Sequence, residues 1–129
     1  MSDTKDDVRT IEDTVDTYLG MWNEEDPARR TGLIEAAWSG DGRYADPVQE
    51  AVGHEALHAM VDGIHQKLPG HRFVRTSGID VHHDELRFGR RLEGTDGTVA
   101  VEGVDVGAVD GDGRLTRITG FFGPLPEDG

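Results

Sequence analysis

Residues 85–122 decide the fold, and they read ELRFGRRLE (85–93), GTDG (94–97), TVAVEGVDVGAV (98–109), DGDG (110–113) and RLTRITGFF (114–122). Short runs rich in Asp and Gly separate three candidate strands, and Asp-Gly steps are strong signals of β-hairpin turns. A further strand is predicted just upstream, at residues 71–82. The second half of the chain therefore predicts four strands that pair as an antiparallel meander.

The first half is helical by its periodicity. Apolar residues recur every three or four positions on one face of a first helix, at Val8, Ile11, Val15, Tyr18, Leu19 and Trp22. Asp26-Pro27 is typical of a helix start, and the second helix is predicted to end near residues 39–40. A short strand at 42–46 follows, and Gly53 opens a third helix. Three N-terminal helices packed on a curved, mostly antiparallel sheet predict an α+β fold.

Composition excludes several classes of function. The 129 residues fit one domain, and the net charge is −13, from 26 acidic and 13 basic residues. Nucleic-acid or anionic-membrane binding needs clustered positive charge, so neither is expected. The chain has no Cys, which excludes disulfides and thiolate chemistry. With no apolar run long enough to span a membrane and no apolar leader, we expect a cytoplasmic protein.

The order of motifs along the chain resembles a known superfamily. Tyr18-Leu19-Gly20-Met21-Trp22-Asn23 is followed by Trp38, by Tyr44-Ala45-Asp46-Pro47-Val48, by Gly103-Val104-Asp105 and by Gly120-Phe121-Phe122-Gly123. This order is similar to that of the SnoaL-like and ketosteroid isomerase-like members of the nuclear transport factor 2-like superfamily. The resemblance covers roughly residues 8–124 of a single domain spanning 1–129. It implies a cone-shaped domain with an apolar pocket for a small organic molecule.

The resemblance also implies three catalytic residues. Asp46, Tyr18 and Asp105 match the positions at which ketosteroid isomerases carry a general base and two groups that hydrogen-bond the enolate oxygen. In that family the acid on the later strand stays protonated. No metal or organic cofactor takes part, so none is expected here.

Each of these residues has a structural alternative. An Asp before Pro, such as Asp46, is often a turn residue that bonds nearby backbone amides. Tyr18 would point inward from the helix as a packing residue or as a hydroxyl donor. Asp105 lies in a largely apolar strand, where a buried carboxyl group must be hydrogen-bonded or protonated.

The expected substrate-binding residues are the apolar walls and one cation, namely Trp22, Trp38, Met60, Phe88, Phe121 and Arg90. Strand alternation places Arg90 on the inner face with Leu86, Phe88 and Leu92. An inward Arg90 would pair with Asp46 or Asp105, bind an anionic substrate, or extend to the mouth of the cone. This residue departs from the isomerase pattern and favours a polar or anionic substrate.

His54-Glu55-Ala56-Leu57-His58 matches the H-E-x-x-H signature of zinc proteases. The motif falls in the first turn after Gly53, and its histidines lie beside the apolar stripe of the helix. A catalytic zinc site also needs a third ligand and a cleft. We therefore expect no metal site.

Two hypotheses of function follow. The first is an enzyme that transfers a proton next to a carbonyl group, as an isomerase, cyclase or dehydratase. The second is a non-catalytic domain of the same fold that binds a small apolar or carbonyl-bearing ligand. Val104 and Val106 are expected on the outer sheet face, and this apolar patch predicts a homodimer.

Overall fold

A computed structural model describes residues 4–128, with side chains from residue 11 onward. Its helices and strands follow one another as α1 (Thr4–Asn23), α2 (Pro27–Ala37), β1 (Trp38–Ala45), β2 (Glu50–Val52), α3 (His54–Lys67), β3 (Arg72–Arg75), β4 (Asp80–His82), β5 (Glu85–Glu93), β6 (Val99–Val109) and β7 (Leu115–Phe122). This is the predicted α+β class. Strand β2 was not predicted from the sequence, and it contains only three residues.

The start of α2 has the expected cap. The Asp26 side chain accepts a hydrogen bond from the Arg29 amide at 3.0 Å, and Pro27 is the first helical residue. The helix ends at Ala37 rather than near residues 39–40, because Trp38 already has extended backbone angles and pairs with Leu115 of β7. Pairing with the sheet therefore ends this helix.

The sheet is mixed but mostly antiparallel. Its strand order is β2-β1-β7-β6-β5-β3, with β4 also paired to β5. Only the β1–β7 pair is parallel among the pairs within residues 4–128. The two predicted hairpin turns carry Gly97 and Gly113 at φ of 83° and 81°, backbone angles that glycine adopts without steric cost.

The single strand predicted at 71–82 is wrong, because the structure divides it into β3 and β4. Both strands pair with β5. Arg75 lies opposite Arg90 and Asp80 lies opposite Arg87, so the connection from β3 to β4 has two residues more than the part of β5 that it faces. The extra residues bulge outward over Gly89. A Cβ atom at Gly89 would lie 2.5 Å from the Thr76 hydroxyl oxygen, so glycine makes room for the bulge.

The helices pack on one face of the sheet and enclose the core. The predicted apolar face of α1 is buried at Ile11, Val15, Tyr18, Leu19 and Trp22, whereas the side chain of Val8 lies outside the described residues. Leu57 and Val61 of α3 and Leu86, Phe88, Leu115 and Ile118 of the sheet complete the core. Within residues 4–128, none of the helices has the length and apolar character needed to cross a membrane.

Candidate active site

Asp105 lies on the inner face of β6, with the buried glycines Gly103 and Gly107 on either side of it. Its side chain is 4% exposed, and Oδ1 accepts a hydrogen bond from Nε of Arg90 on β5 at 3.3 Å. Asp105 therefore faces the interior of the domain. The carboxyl group is thus buried beside a cation.

The Asp105 carboxyl group has an unusual acidity. Burial raises the pKa of Asp105 from 3.8 to about 6, although the charge and hydrogen bond of Arg90 lower it, and the charge of Asp46 raises it further. A group with this pKa exchanges a proton with its surroundings near neutral pH. That property suits a general acid or base.

The Arg90 guanidinium group lies near two aromatic rings. Its side chain is 2% exposed, and its guanidinium carbon lies 5.6 Å from the Phe73 ring centroid and 5.2 Å from that of Phe122. Aromatic faces attract a guanidinium group through the ring quadrupole. Of the alternatives that the sequence leaves open, pairing with Asp105 is the one present, and the side chain does not extend into solvent.

Asp46 occupies the turn that follows β1. Its Oδ1 accepts hydrogen bonds from the amides of Val48 and Gln49 at 2.9 and 3.0 Å, which is the turn arrangement considered from the sequence. Its Oδ2 accepts a hydrogen bond from the Tyr44 hydroxyl at 2.6 Å. Burial, the charge of Asp105 and this hydrogen bond raise the pKa of Tyr44 well above its ordinary value. Tyr44 therefore stays protonated and orients the Asp46 carboxylate.

Gly120 of β7 lies where these charged groups meet. A Cβ atom built on it would be 2.9 Å from Asp105 Oδ1, 3.0 Å from Arg90 Nη2 and 3.3 Å from Asp46 Cβ. The missing side chain leaves the room that brings the three charged residues together. The charged cluster of Asp46, Arg90 and Asp105 meets solvent on one side, where the half-buried residues Asp46, Phe73 and Phe122 lie.

Tyr18 reaches the same interior from α1. It is 1% exposed, and its ring stacks on Trp38 with centroids 5.6 Å apart. The Tyr18 hydroxyl and the Trp38 Nε1 atom are buried and have no hydrogen-bond partner within the described residues. Burial and the nearby charge of Asp105 raise the pKa of Tyr18, which keeps the hydroxyl protonated. Two buried donors thus remain available to an acceptor.

Comparison with solved structures identifies relatives of this chain. A candidate isomerase of the SnoaL-like family from Agrobacterium tumefaciens strain C58 is 36% identical, with a TM-score of 0.84, over 90% of this chain and 99% of that one. The chain belongs to the SnoaL-like family. No protein-family model matches this SnoaL-like protein, and no curated protein matches it.

More distant structures share the fold of this SnoaL-like protein. An NTF2-like protein from Exiguobacterium sp. 255-15 is 19% identical with a TM-score of 0.66, covering 87% of this chain and 99% of that one. A candidate polyketide cyclase from Sinorhizobium meliloti is 16% identical with a TM-score of 0.66, covering 84% and 93%. These similarities support the predicted NTF2-like superfamily fold.

The predicted wall residues of the SnoaL-like protein divide into two groups. Trp22, Trp38 and Phe88 are buried in the core, and Met60 is half-buried against it. Phe121 does not line the interior, because it pairs with the outward-facing Val104 and is 58% exposed. Phe122, the next residue, takes the inward position beside Arg90. The expected role of Phe121 is therefore corrected.

The two histidines of the H-E-x-x-H motif contact backbone carbonyl oxygens in this structure. His54 Nε2 contacts the Trp38 carbonyl oxygen at 2.6 Å, and His58 Nε2 contacts the Pro27 carbonyl oxygen at 3.0 Å. Among residues 4–128, no group of three or more His, Cys, Asp or Glu is placed to hold a metal ion. A groove of about 510 Å³ between α2 and α3 includes His54, Glu55 and His58 but none of the predicted site residues.

Four residues of the cluster were missed by sequence reasoning, namely Tyr44, Phe73, Gly120 and Phe122. The spacing of Tyr44 and Asp46 was the available signal, since residues two apart on a strand share a face. The alternation that starts from the buried Ile118 also places Gly120 and Phe122 inward. Phe73 lies on a separate edge strand, and no local pattern connects it to Arg90.

Proposed function

We propose that this protein is a small-molecule enzyme that transfers a proton next to a carbonyl group, without a metal or organic cofactor, as an isomerase, cyclase or dehydratase. The observation that carries the proposal is the buried carboxyl group of Asp105. Burial raises its pKa to about 6, although Arg90 lies beside it. The candidate isomerase of the same family supports this reaction class.

The proposed reaction begins at Asp46. Its carboxylate removes a proton from the carbon next to the substrate carbonyl, and the electron pair of the C–H bond moves onto the carbonyl oxygen to give an enolate. Protonated Asp105 and the Tyr18 hydroxyl donate hydrogen bonds to that oxygen. Return of the proton to another carbon gives an isomer, and attack of the enolate carbon on a second carbonyl gives a cyclised product.

Three structural features support these roles. The Tyr44 hydroxyl and two backbone amides hold the Asp46 carboxylate in one orientation. Tyr18 supplies a buried hydroxyl without a partner among the described residues, and a preorganised donor in an apolar site stabilises developing negative charge. Of the predicted apolar walls, Trp22 and Trp38 lie beside Tyr18, with ring centroids 6.4 and 5.6 Å from that of Tyr18.

One observation favours the second candidate, a non-catalytic domain that binds a small organic ligand. Arg90 pairs with Asp105, and an ionised pair of this kind would leave Asp105 unable to donate a proton. The two functions differ in the protonation of Asp105 when the ligand is present.

Hydrogen–deuterium exchange tests the enzymatic function. A panel of enolisable ketones in D₂O is followed by proton NMR with wild type, Asp46→Asn and Asp80→Asn. We expect wild type to accelerate exchange at the carbon next to the carbonyl, and Asp46→Asn to slow it by about 10²- to 10⁴-fold, the usual effect of removing a general base. Asp80 is exposed and pairs with Arg87 on the surface, so its variant is the control. Exchange no faster than in buffer for the whole panel would favour the binding function.

We also propose that residues 1–129 act as one domain that forms a homodimer through the outer sheet face. Val104 and Phe121 are paired across β6 and β7 on that face, and they are 40% and 58% exposed. Adjacent exposed apolar side chains on a sheet are typical of a surface that a second subunit covers.

A further inference from the structure

The Arg90 guanidinium group has hydrogen-bonding capacity that the protein does not use. A guanidinium group carries five N–H donors. Among the described residues it donates only from Nε, to Asp105, while its guanidinium carbon lies over the Phe73 and Phe122 rings. The Nη atoms therefore have donors that remain available to a ligand.

The Nη2 atom of Arg90 lies against the backbone of Gly120, beside Asp105 and Asp46. Nη2 lies 3.0 Å from the position that a Cβ atom of Gly120 would occupy, and Asp105 Oδ1 and Asp46 Cβ border the same position. Tyr18, which is 1% exposed, supplies a hydroxyl without a partner among the described residues. The charges of Asp105 and Arg90 both act on the pKa of Tyr18, so the three groups lie close enough to interact electrostatically.

Charge balance indicates what the Nη donors of Arg90 bind. The proposed reaction needs Asp105 protonated, and protonation removes the negative partner of a buried cation. An unpaired buried charge is strongly unfavourable. The charged and titratable groups that act on Asp105 or feel its charge are Arg90, Asp46, Tyr18 and Tyr44. Asp46 directs its oxygens at Tyr44 and the turn amides, and it loses its negative charge when it takes the substrate proton. A negative group on the substrate is therefore the partner that restores balance.

We propose that the substrate carries a carboxylate near its enolisable carbonyl, and that the Arg90 guanidinium group binds this carboxylate while Asp105 takes up a proton from water. This inference rests on the proposed function and names its substrate class. A guanidinium group matches the two oxygens of a carboxylate in geometry and charge. Binding then converts the structural Arg90–Asp105 pair into an Arg90–substrate pair with a neutral acid beside it.

The test compares levulinate, a keto acid, with its methyl ester, which has the same ketone without the charge. Binding to wild type is measured by NMR titration, and proton uptake by calorimetry in buffers of different ionisation enthalpy. We expect wild type to bind levulinate at least about tenfold more tightly than the ester, as charge-assisted hydrogen bonds imply. Levulinate binding should take up close to one proton above about pH 7 and weaken as pH rises through the Asp105 pKa.

Variants separate the anion site from the fold. Asp105→Asn keeps the preference for levulinate but takes up no proton, because the neutral amide needs none. Arg90→Gln alone leaves Asp105 without its partner. The double variant Arg90→Gln/Asp105→Asn has no unpaired charge, so its binding decides whether Arg90 is the anion site. The double variant should bind acid and ester equally, while Asp80→Asn behaves as wild type. Persistence of the preference in the double variant, or its absence in wild type, overturns the inference.

The same samples distinguish failure of this inference from failure of the proposed function. Tight levulinate binding without accelerated exchange of levulinate or of any ketone in the panel would retain the anion site and reject catalysis. Exchange of acid and ester at equal rates and affinities would retain catalysis and reject the anion site.

Discussion

At the scale of single residues, Asp105 links the site to the stability of the fold. Its folded-state pKa of about 6 is raised above the unfolded value of about 3.9. The protonated form therefore stabilises the fold, fully below about pH 4, and this contribution is lost as pH rises through 6. The difference between the two pKa values corresponds to about 3 kcal/mol.

We predict that Asp105→Asn gains stability relative to wild type as pH rises from about 4 to 8, by up to about 3 kcal/mol, because the amide is never ionised. Urea unfolding of both proteins across this pH range measures the difference. A constant difference between them would mean that Arg90 holds the Asp105 pKa near its ordinary value in the folded protein.

Gly120 gives a second prediction at this scale. Gly120→Ala places a methyl group 2.9 Å from Asp105 Oδ1 and 3.0 Å from Arg90 Nη2. We expect a loss of about 1–3 kcal/mol in the free energy of unfolding, the usual effect of overpacking, together with loss of levulinate binding. Gly63→Ala in α3 is the matched control, since a Cβ atom there meets nothing within 4 Å. That helical alanine should be neutral or stabilising by up to about 1 kcal/mol.

At the scale of elements, a side-chain clamp joins the end of α1 to the edge strand β3. Asn23 Nδ2 donates to the Phe73 carbonyl oxygen at 2.9 Å, and Asn23 Oδ1 accepts from the Phe73 amide at 2.7 Å. Strand β3 otherwise pairs only with β5 among the described strands. The clamp thus fixes the backbone of the residue whose ring centroid lies 5.6 Å from the Arg90 guanidinium carbon.

We predict that Asn23→Ala lowers the free energy of unfolding by about 1–3 kcal/mol, because a half-buried amide and carbonyl lose their partner. Hydrogen exchange should accelerate at the Phe73 amide while the amides of β6 keep their protection. Thr31→Ala, on the exposed side of α2, provides a comparison that leaves β3 untouched. Unchanged exchange at Phe73 would show that pairing with β5 alone orders the strand.

At the scale of the whole molecule, the outer sheet face predicts self-association. Val104→Glu and Phe121→Ser each place a polar group in the apolar patch that these two residues form. We expect each variant to raise the dissociation constant of the proposed dimer by tenfold or more, in keeping with the cost of truncating central interface residues. Sedimentation equilibrium measures the change. Val48→Glu is the matched control, since Val48 is 76% exposed in the turn after β1. A wild-type protein that remains monomeric at every concentration would reject the dimer.

The sequence alone determined the features that depend on neighbours along the chain. Asp26-Pro27 specified a helix start, the Asp-Gly turns at 96–97 and 112–113 specified hairpins, and the periodicity of α1 specified its buried face. Alternation along β6 placed Asp105 on the face opposite Val104 and Val106. These outcomes follow from backbone sterics and from the burial of apolar side chains, both of which act over a few residues.

The tertiary structure alone decided which charged groups meet. The β5–β6 and β6–β7 registers bring Arg90, Asp105 and Gly120 together, and the turn after β1 adds Asp46 with Tyr44 as its donor. Register is a property of pairs of strands, and a shift of one residue reverses the face of every side chain, as Phe121 and Phe122 illustrate. The acidity of Asp105 follows from burial and from charges on other strands, so it arises only when the sheet is assembled.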